Sequence, residues 1–131
     1  MTMNENLEKL NHFSTFEKNW NGYEADPLPD NIIEVTRKIL KRLSVQPEMF
    51  PTARDSIQLE YERENGDYLE FEIKATGVEV FISPASNPNS RRVQFPCPPL
   101  AEYNIPANMG PTHTSLLMED QIKKFMRGDI R

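Results

Sequence analysis

The stretch Ser56 to Ile82, SIQLEYERENGDYLEFEIKATGVEVFI, alternates apolar and polar residues through three short runs separated by two turn signals. Successive side chains of a strand point to opposite faces, so a period of two decides which residues share a side. Ile57, Leu59 and Tyr61 fall on one face, as do Leu69, Phe71 and Ile73, and Val78, Val80 and Ile82. The opposite face of the first hairpin carries Gln58, Glu60, Glu62, Glu70 and Glu72. One side therefore reads as core and the other as an acidic, solvated surface.

Parity also chooses the first turn. A two-residue Asn65-Gly66 loop, the usual one for this dipeptide, would set Tyr61 opposite Glu70 and mix the faces. A three-residue loop, Glu64-Asn65-Gly66, sets Tyr61 opposite Leu69, Leu59 opposite Phe71 and Ile57 opposite Ile73, with Gly66 left-handed in a bulge. The second register is expected, and it places Glu60 opposite Glu70 and Gln58 opposite Glu72. The next turn, Thr76-Gly77, is expected to set Ile73 against Val80 and Lys74 against Glu79, a favourable cross-strand pair.

Upstream, residues 4–18 read as a helix with Leu7, Leu10, Phe13 and Phe16 near one stripe, ending at the Asn19 to Gly22 loop. A second helix is expected over residues 31–44, capped by Asp30 after Pro29, with Ile32, Val35, Thr36, Ile39, Leu40 and Leu43 inward. Pro47 and Pro51 bracket what reads as a turn tucking Met49 and Phe50 under the sheet. Downstream, residues 84–112 hold seven prolines, which excludes a helix or a central strand; Val93 to Phe95 can add an edge strand. A last helix is expected over residues 114–127, with Met118, Ile122, Phe125 and Met126 on one face and Gly128 as its stop. The fold class expected is α+β: two N-terminal helices packed on an antiparallel sheet of three or four strands, then a proline-rich arm and a C-terminal helix. The domain reading is a core over residues 1–83 and an arm over residues 84–131.

Composition narrows the function classes. The chain has 131 residues, a formal net charge of −5 and one cysteine, Cys97, so an internal disulfide framework is excluded and a general nucleic-acid binder is disfavoured. No apolar run approaches the roughly 18 residues of a membrane span, and the first residues lack a signal-peptide pattern, which makes the cytoplasm the expected location. Charge is uneven: residues 1–83 carry nine basic against sixteen acidic side chains, residues 84–131 six against four. Such a body could self-associate as a homodimer, or meet a basic partner.

The carboxylates admit three readings: a solvated sheet face, a surface for a basic partner protein (Glu60, Glu62, Glu70, Glu72), or paired groups for a metal or acid/base chemistry. His12 and His113 lack ligand spacing, Cys97 has no CxxC companion, and no glycine loop cradles phosphate, so no catalytic residue, metal site or cofactor is assigned. Trp20 and Tyr23 form an aromatic-glycine loop that suits a binding hot spot or a helix-locking turn. Met118, Ile122, Phe125 and Met126 can fill a partner's groove or complete the chain's own core. A nucleic-acid module would have to use Arg37, Lys38, Lys41 and Arg42, with Arg91 and Arg92 beside Ser90.

The segments NWNGYEADPLPDNII and FPTARDSIQLEYERENGDYLEFEI resemble a widespread family of small uncharacterised bacterial proteins with a Trp-Asp/Asn-Gly loop and a Pro-Thr…Ile-Gln-Leu-Glu hairpin. The matching positions are Trp20, Asn21, Gly22, Ala25, Pro27, Pro51, Thr52, Ile57, Gln58, Leu59, Glu60 and Glu70. The resemblance covers about residues 10–82; Ala53-Arg54-Asp55 stand where many relatives are glycine-rich. It implies an accessory gene in mobile or defence-associated clusters, often beside a second small gene, and hence a partner protein rather than a reaction. The expected function is a non-enzymatic interaction module, antitoxin-like or an inhibitor or adaptor in a bacterial or phage conflict system, acting by occlusion; a small carboxylate-based enzyme is the alternative.

Overall fold

The computed structural model describes residues 2–85, 91–94 and 113–128. Its elements run α1 (Met3–Phe13), α2 (Asp30–Leu40), β1 (Glu48–Pro51), β2 (Ile57–Glu62), β3 (Tyr68–Lys74), β4 (Gly77–Ser83), β5 (Arg91–Gln94) and α3 (His113–Met126). The strands form one antiparallel meander in sequence order. The fold is α+β, as the alternation and the helical stripes imply. The expectations for residues 95–112, including Cys97, and for Ser90 lie outside the described residues, as do the side chains of Arg91, Arg92 and His113.

The first hairpin takes the expected register: Tyr61 faces Leu69, Leu59 faces Phe71 and Glu60 faces Glu70. Arg63 N donates to Asp67 O at 2.9 Å and closes a three-residue loop with Gly66 at φ 94°. A side chain there would be strained by the left-handed backbone and would press on Ala85 Cβ at 3.3 Å. The second hairpin corrects the expectation by two residues. Lys74 pairs with Gly77, Ile73 with Val78 and Phe71 with Val80, around a two-residue Ala75-Thr76 turn. A shift of two preserves parity, so every side chain keeps its face. Lys74 still reaches Glu79 at 2.9 Å, diagonally rather than directly across.

Three further corrections concern boundaries. Residues 48–51 form edge strand β1 rather than a turn, with Met49 buried and Phe50 exposed. Proline is tolerated at strand ends and edges, so Pro47 and Pro51 bracket the strand without breaking it. Helix α1 stops at Phe13 because the Ser14 and Thr15 hydroxyls donate to Asn11 O and His12 O, competing with helical propagation. Helix α2 starts at Asp30, with Pro29 at the cap position, and Asp30 contributes charge at the dipole rather than a capping bond. Its end tightens, Gln46 Nε2 donating to Leu40 O and Leu43 O.

The three described helices lie over one sheet face. Their inward residues, including Leu10, Ile32, Ile39, Met118, Ile122 and Phe125, join the sheet's apolar row in a single core cluster. Glu119 Oε1 accepts from Ser44 N at 2.8 Å and from Ser44 Oγ at 3.2 Å, tying α3 to the chain leaving α2.

Candidate functional site: the outer sheet face

Since the core takes one side of the sheet, the even-numbered residues of β1 to β3 must occupy the other. The register lines them up across strands. Glu48 faces Glu60, which faces Glu70, which faces Phe81. Beside that row, Phe50 faces Gln58, which faces Glu72, which faces Glu79. Three glutamates thus stand abreast on β1, β2 and β3, and like charges directly across a ladder destabilise by roughly 0.2–1 kcal/mol each.

Glu48 and Glu62 are exposed, while Glu60 and Glu70 are half-buried. Tyr68, two residues before Glu70, turns its hydroxyl onto Glu70 Oε1 at 2.9 Å. Its ring is held edge-on by Phe81, centroids 6.1 Å apart. Burial pushes the Glu60 carboxyl above its ordinary range; the charges of Glu70, Glu48 and Glu62 push the same way, and the Tyr68 hydrogen bond opposes them. The Tyr68 phenol is itself raised, by burial first and then by Glu70 and Glu60, so it remains a donor.

Glu72 does not belong to this exposed set. It is 6% exposed and accepts from Ser56 Oγ at 2.6 Å, with Arg54 Nε at 3.4 Å. Ser56 Oγ in turn meets Thr52 Oγ1 at 2.6 Å. This buried chain of two hydroxyls and a carboxylate fixes the loop joining β1 to β2, where Asp55 holds a left-handed φ of 59°. Its expected partner-binding role is therefore corrected to a loop-holding one. Ser56→Ala removes a donor from a buried carboxylate, which costs about 1–3 kcal/mol; chemical denaturation of the variant checks this, and a loss within about 0.5 kcal/mol would show the bond to be idle.

The C-terminal candidates separate likewise. Met118 and Ile122 are fully buried and Phe125 is 1% exposed, so these three fill the chain's own core instead of a partner's groove. Met126 is exposed and lines a cleft of about 470 Å³ with Glu62, Arg63, Glu64 and Asn65. Asp67 at the same turn accepts from Ala85 N, Asn65 Nδ2 and Arg63 Nη1, and these bonds, the Ala85 one foremost, hold its carboxyl below the ordinary range.

The aromatic loop divides in two. Trp20 stacks on Phe16 at 4.7 Å and donates from Nε1 to Asp26 O at 2.7 Å, so it locks the loop. Tyr23 is 86% exposed. Around it Asn21 Oδ1 accepts from Tyr23 N and Ala25 N, and Asn19 Oδ1 from Glu24 N. On α2, Arg37 is engaged by Glu34 and Asn11, and Arg42 donates to Lys38 O, so the basic stripe is partly committed within the molecule.

Sequence reasoning missed two members of the outer row. Glu48 was hidden by the proline bracket, although Met49 flanked by Glu48 and Phe50 already alternates. Tyr68 carried the right parity, but the turn of its hydroxyl onto Glu70 depends on ring orientation against Phe81. No group of three or more His, Cys, Asp or Glu side chains among the described residues is placed to hold a metal ion. No described helix is long and apolar enough to cross a membrane. In comparisons with known protein families, curated proteins and solved structures, nothing matches the chain.

Proposed function

We propose that this chain is a non-enzymatic protein-binding module whose outer sheet face covers a basic surface of a partner protein, as an antitoxin, inhibitor or adaptor in a bacterial or phage conflict system would. The observation carrying this reading is the alignment of Glu48, Glu60 and Glu70 across three strands. Such a row lowers the stability of the free chain, and a cationic partner relieves the repulsion on binding. Glu62 extends the charge at one end, and Phe50 adds exposed apolar area beside it. The aligned charge would steer association as well as contribute affinity.

The test exploits the symmetry of the repulsion. In a Glu60→Lys/Glu70→Lys double variant two like charges again face each other, so stability should stay within about 1 kcal/mol of the parent. Binding to the protein that co-purifies with the native chain should fall by on the order of 100-fold, because two contacts turn repulsive. Retained affinity in the folded double variant would sink the reading.

A carboxylate enzyme is the second reading, favoured by the raised Glu60 carboxyl beside Glu70. Against it, neither Glu60 nor Glu70 lines the cleft at the β2–β3 turn, and no histidine, lysine or arginine of the described residues forms an ion pair with them.

A further inference from the structure

We infer that the β1 edge of the sheet is sealed against strand addition, so that a partner meets this sheet through the side chains of its outer face and not by extending it. Backbone phase decides which groups of β1 point away from β2. In an antiparallel pair, residues whose N–H and C=O face the neighbouring strand alternate with residues whose groups face away. Thr52 N donates to Ser56 O at 3.0 Å, continuing the register that pairs Glu48 with Glu60 and Phe50 with Gln58. The even-numbered residues of β1 therefore bond to β2, and Pro47, Met49 and Pro51 turn their backbone groups outward. The first hairpin gives the same phase independently. Arg63 N donates to Asp67 O, so the odd residues of β2 bond to β3 and its even residues to β1.

Both prolines thus stand where an outward N–H would be. Of residues 47–51, Met49 alone has an outward donor. A second copy pairing on this edge about Met49 would set residue 47 opposite residue 51, proline against proline, and neither could donate. Helix α1 covers what the prolines leave. Asn6, itself without exposed surface, donates from Nδ2 to Pro47 O at 2.9 Å and to Gln46 Oε1 at 3.1 Å. Nearly one turn on, Lys9 Nζ lies 4.9 Å from the centre of the Phe50 ring. Helix α1 lies over the core face and Phe50 belongs to the outer one, so the Lys9 stem crosses the edge beside Met49. Met49 has no exposed surface.

An open edge offers a row of unpaired donors and acceptors to any extended segment, a second copy of the chain included. Sealing β1 removes that mode of recognition at this edge and leaves the row of Glu48, Glu60 and Glu70 to be read by side chains. On the binding reading above, on which this consequence rests, the partner presents lysine or arginine side chains from a folded surface of its own rather than an extended strand.

The experiment needs no partner, so its failure is distinguishable from failure of the binding reading. Lys9→Ala/Pro51→Thr uncovers Met49 and restores an outward N–H at residue 51. Sedimentation velocity over a dilution series should show the double variant self-associating about tenfold more strongly than the parent chain, because each copy has gained a donor. A folded double variant that associates no more strongly than the parent would overturn the seal. Where the substitutions cost the fold, the parent chain decides alone. Amide hydrogen exchange followed by NMR should find the Met49 N–H within about tenfold of the ladder-bonded Phe50 N–H. A Met49 N–H that exchanges faster than that would overturn the seal equally.

Discussion

Replacing Phe71 by alanine is expected to lower stability by about 3–5 kcal/mol, enough to consume much of the 5–15 kcal/mol typical of a domain. Phe71 lies on the middle strand of the sheet, has no exposed surface, and meets the Tyr61 ring edge-on at 6.3 Å. It faces Leu59 on one side and Val80 on the other, so no neighbour can fold into the space without breaking a strand pairing. Urea or guanidinium titration should show a lower midpoint with an unchanged slope. Tyr23→Ala, on a residue that is 86% exposed, should stay within about 0.5 kcal/mol and serves as the control. Equal effects at the two sites would mean that the sheet's apolar side is not the core.

The second large effect is Phe125→Ala, again about 3–5 kcal/mol. Its interest is that it decides what α3 is. A helix held in reserve for a partner would lose little when an apolar residue of its binding face is trimmed. A helix that closes the core loses a ring at 1% exposure, next to the equally buried Met118 and Ile122. A melting curve unmoved by Phe125→Ala would return α3 to the role of a detachable arm. The loss expected instead leaves Met126 as the one member of the four-residue stripe that remains exposed.

Much of this fold was legible because its strongest signals are periodic. Alternation in residues 56–82 gave the faces, and the rule that a one-residue slip mixes them selected the three-residue loop at Gly66. The same rule is blind to a slip of two, which is why the Ala75-Thr76 turn was misplaced while the faces of Val78 and Val80 came out right. Short elements near proline were harder. Glu48 to Pro51 has four residues, too few for alternation to outweigh two prolines.

The site was legible only in part, for a different reason. Parity placed Glu60, Glu62, Glu70 and Glu72 together, yet parity assigns a face and not an exposure. Glu72 is withdrawn by Ser56 and Arg54, groups brought to it by a loop whose left-handed Asp55 has no periodic signature. An amphipathic stripe such as Met118–Ile122–Phe125 says that a helix needs a greasy surface and is silent on whose surface it is. The Tyr68 hydroxyl meets Glu70 because its ring packs edge-on against Phe81 of the next strand, and no pattern in one strand encodes that orientation.

The most direct measurement is the association rate constant of the co-purifying protein with the native chain as salt is raised. A face built on Glu48, Glu60, Glu62 and Glu70 should give fast binding at low salt that falls steeply as the Debye length shrinks from about 30 Å at 0.01 M to about 10 Å at 0.1 M. The same curve should be nearly flat, and start lower, for Glu60→Lys/Glu70→Lys. A native-chain rate that ignores salt would contradict recognition through this row of carboxylates.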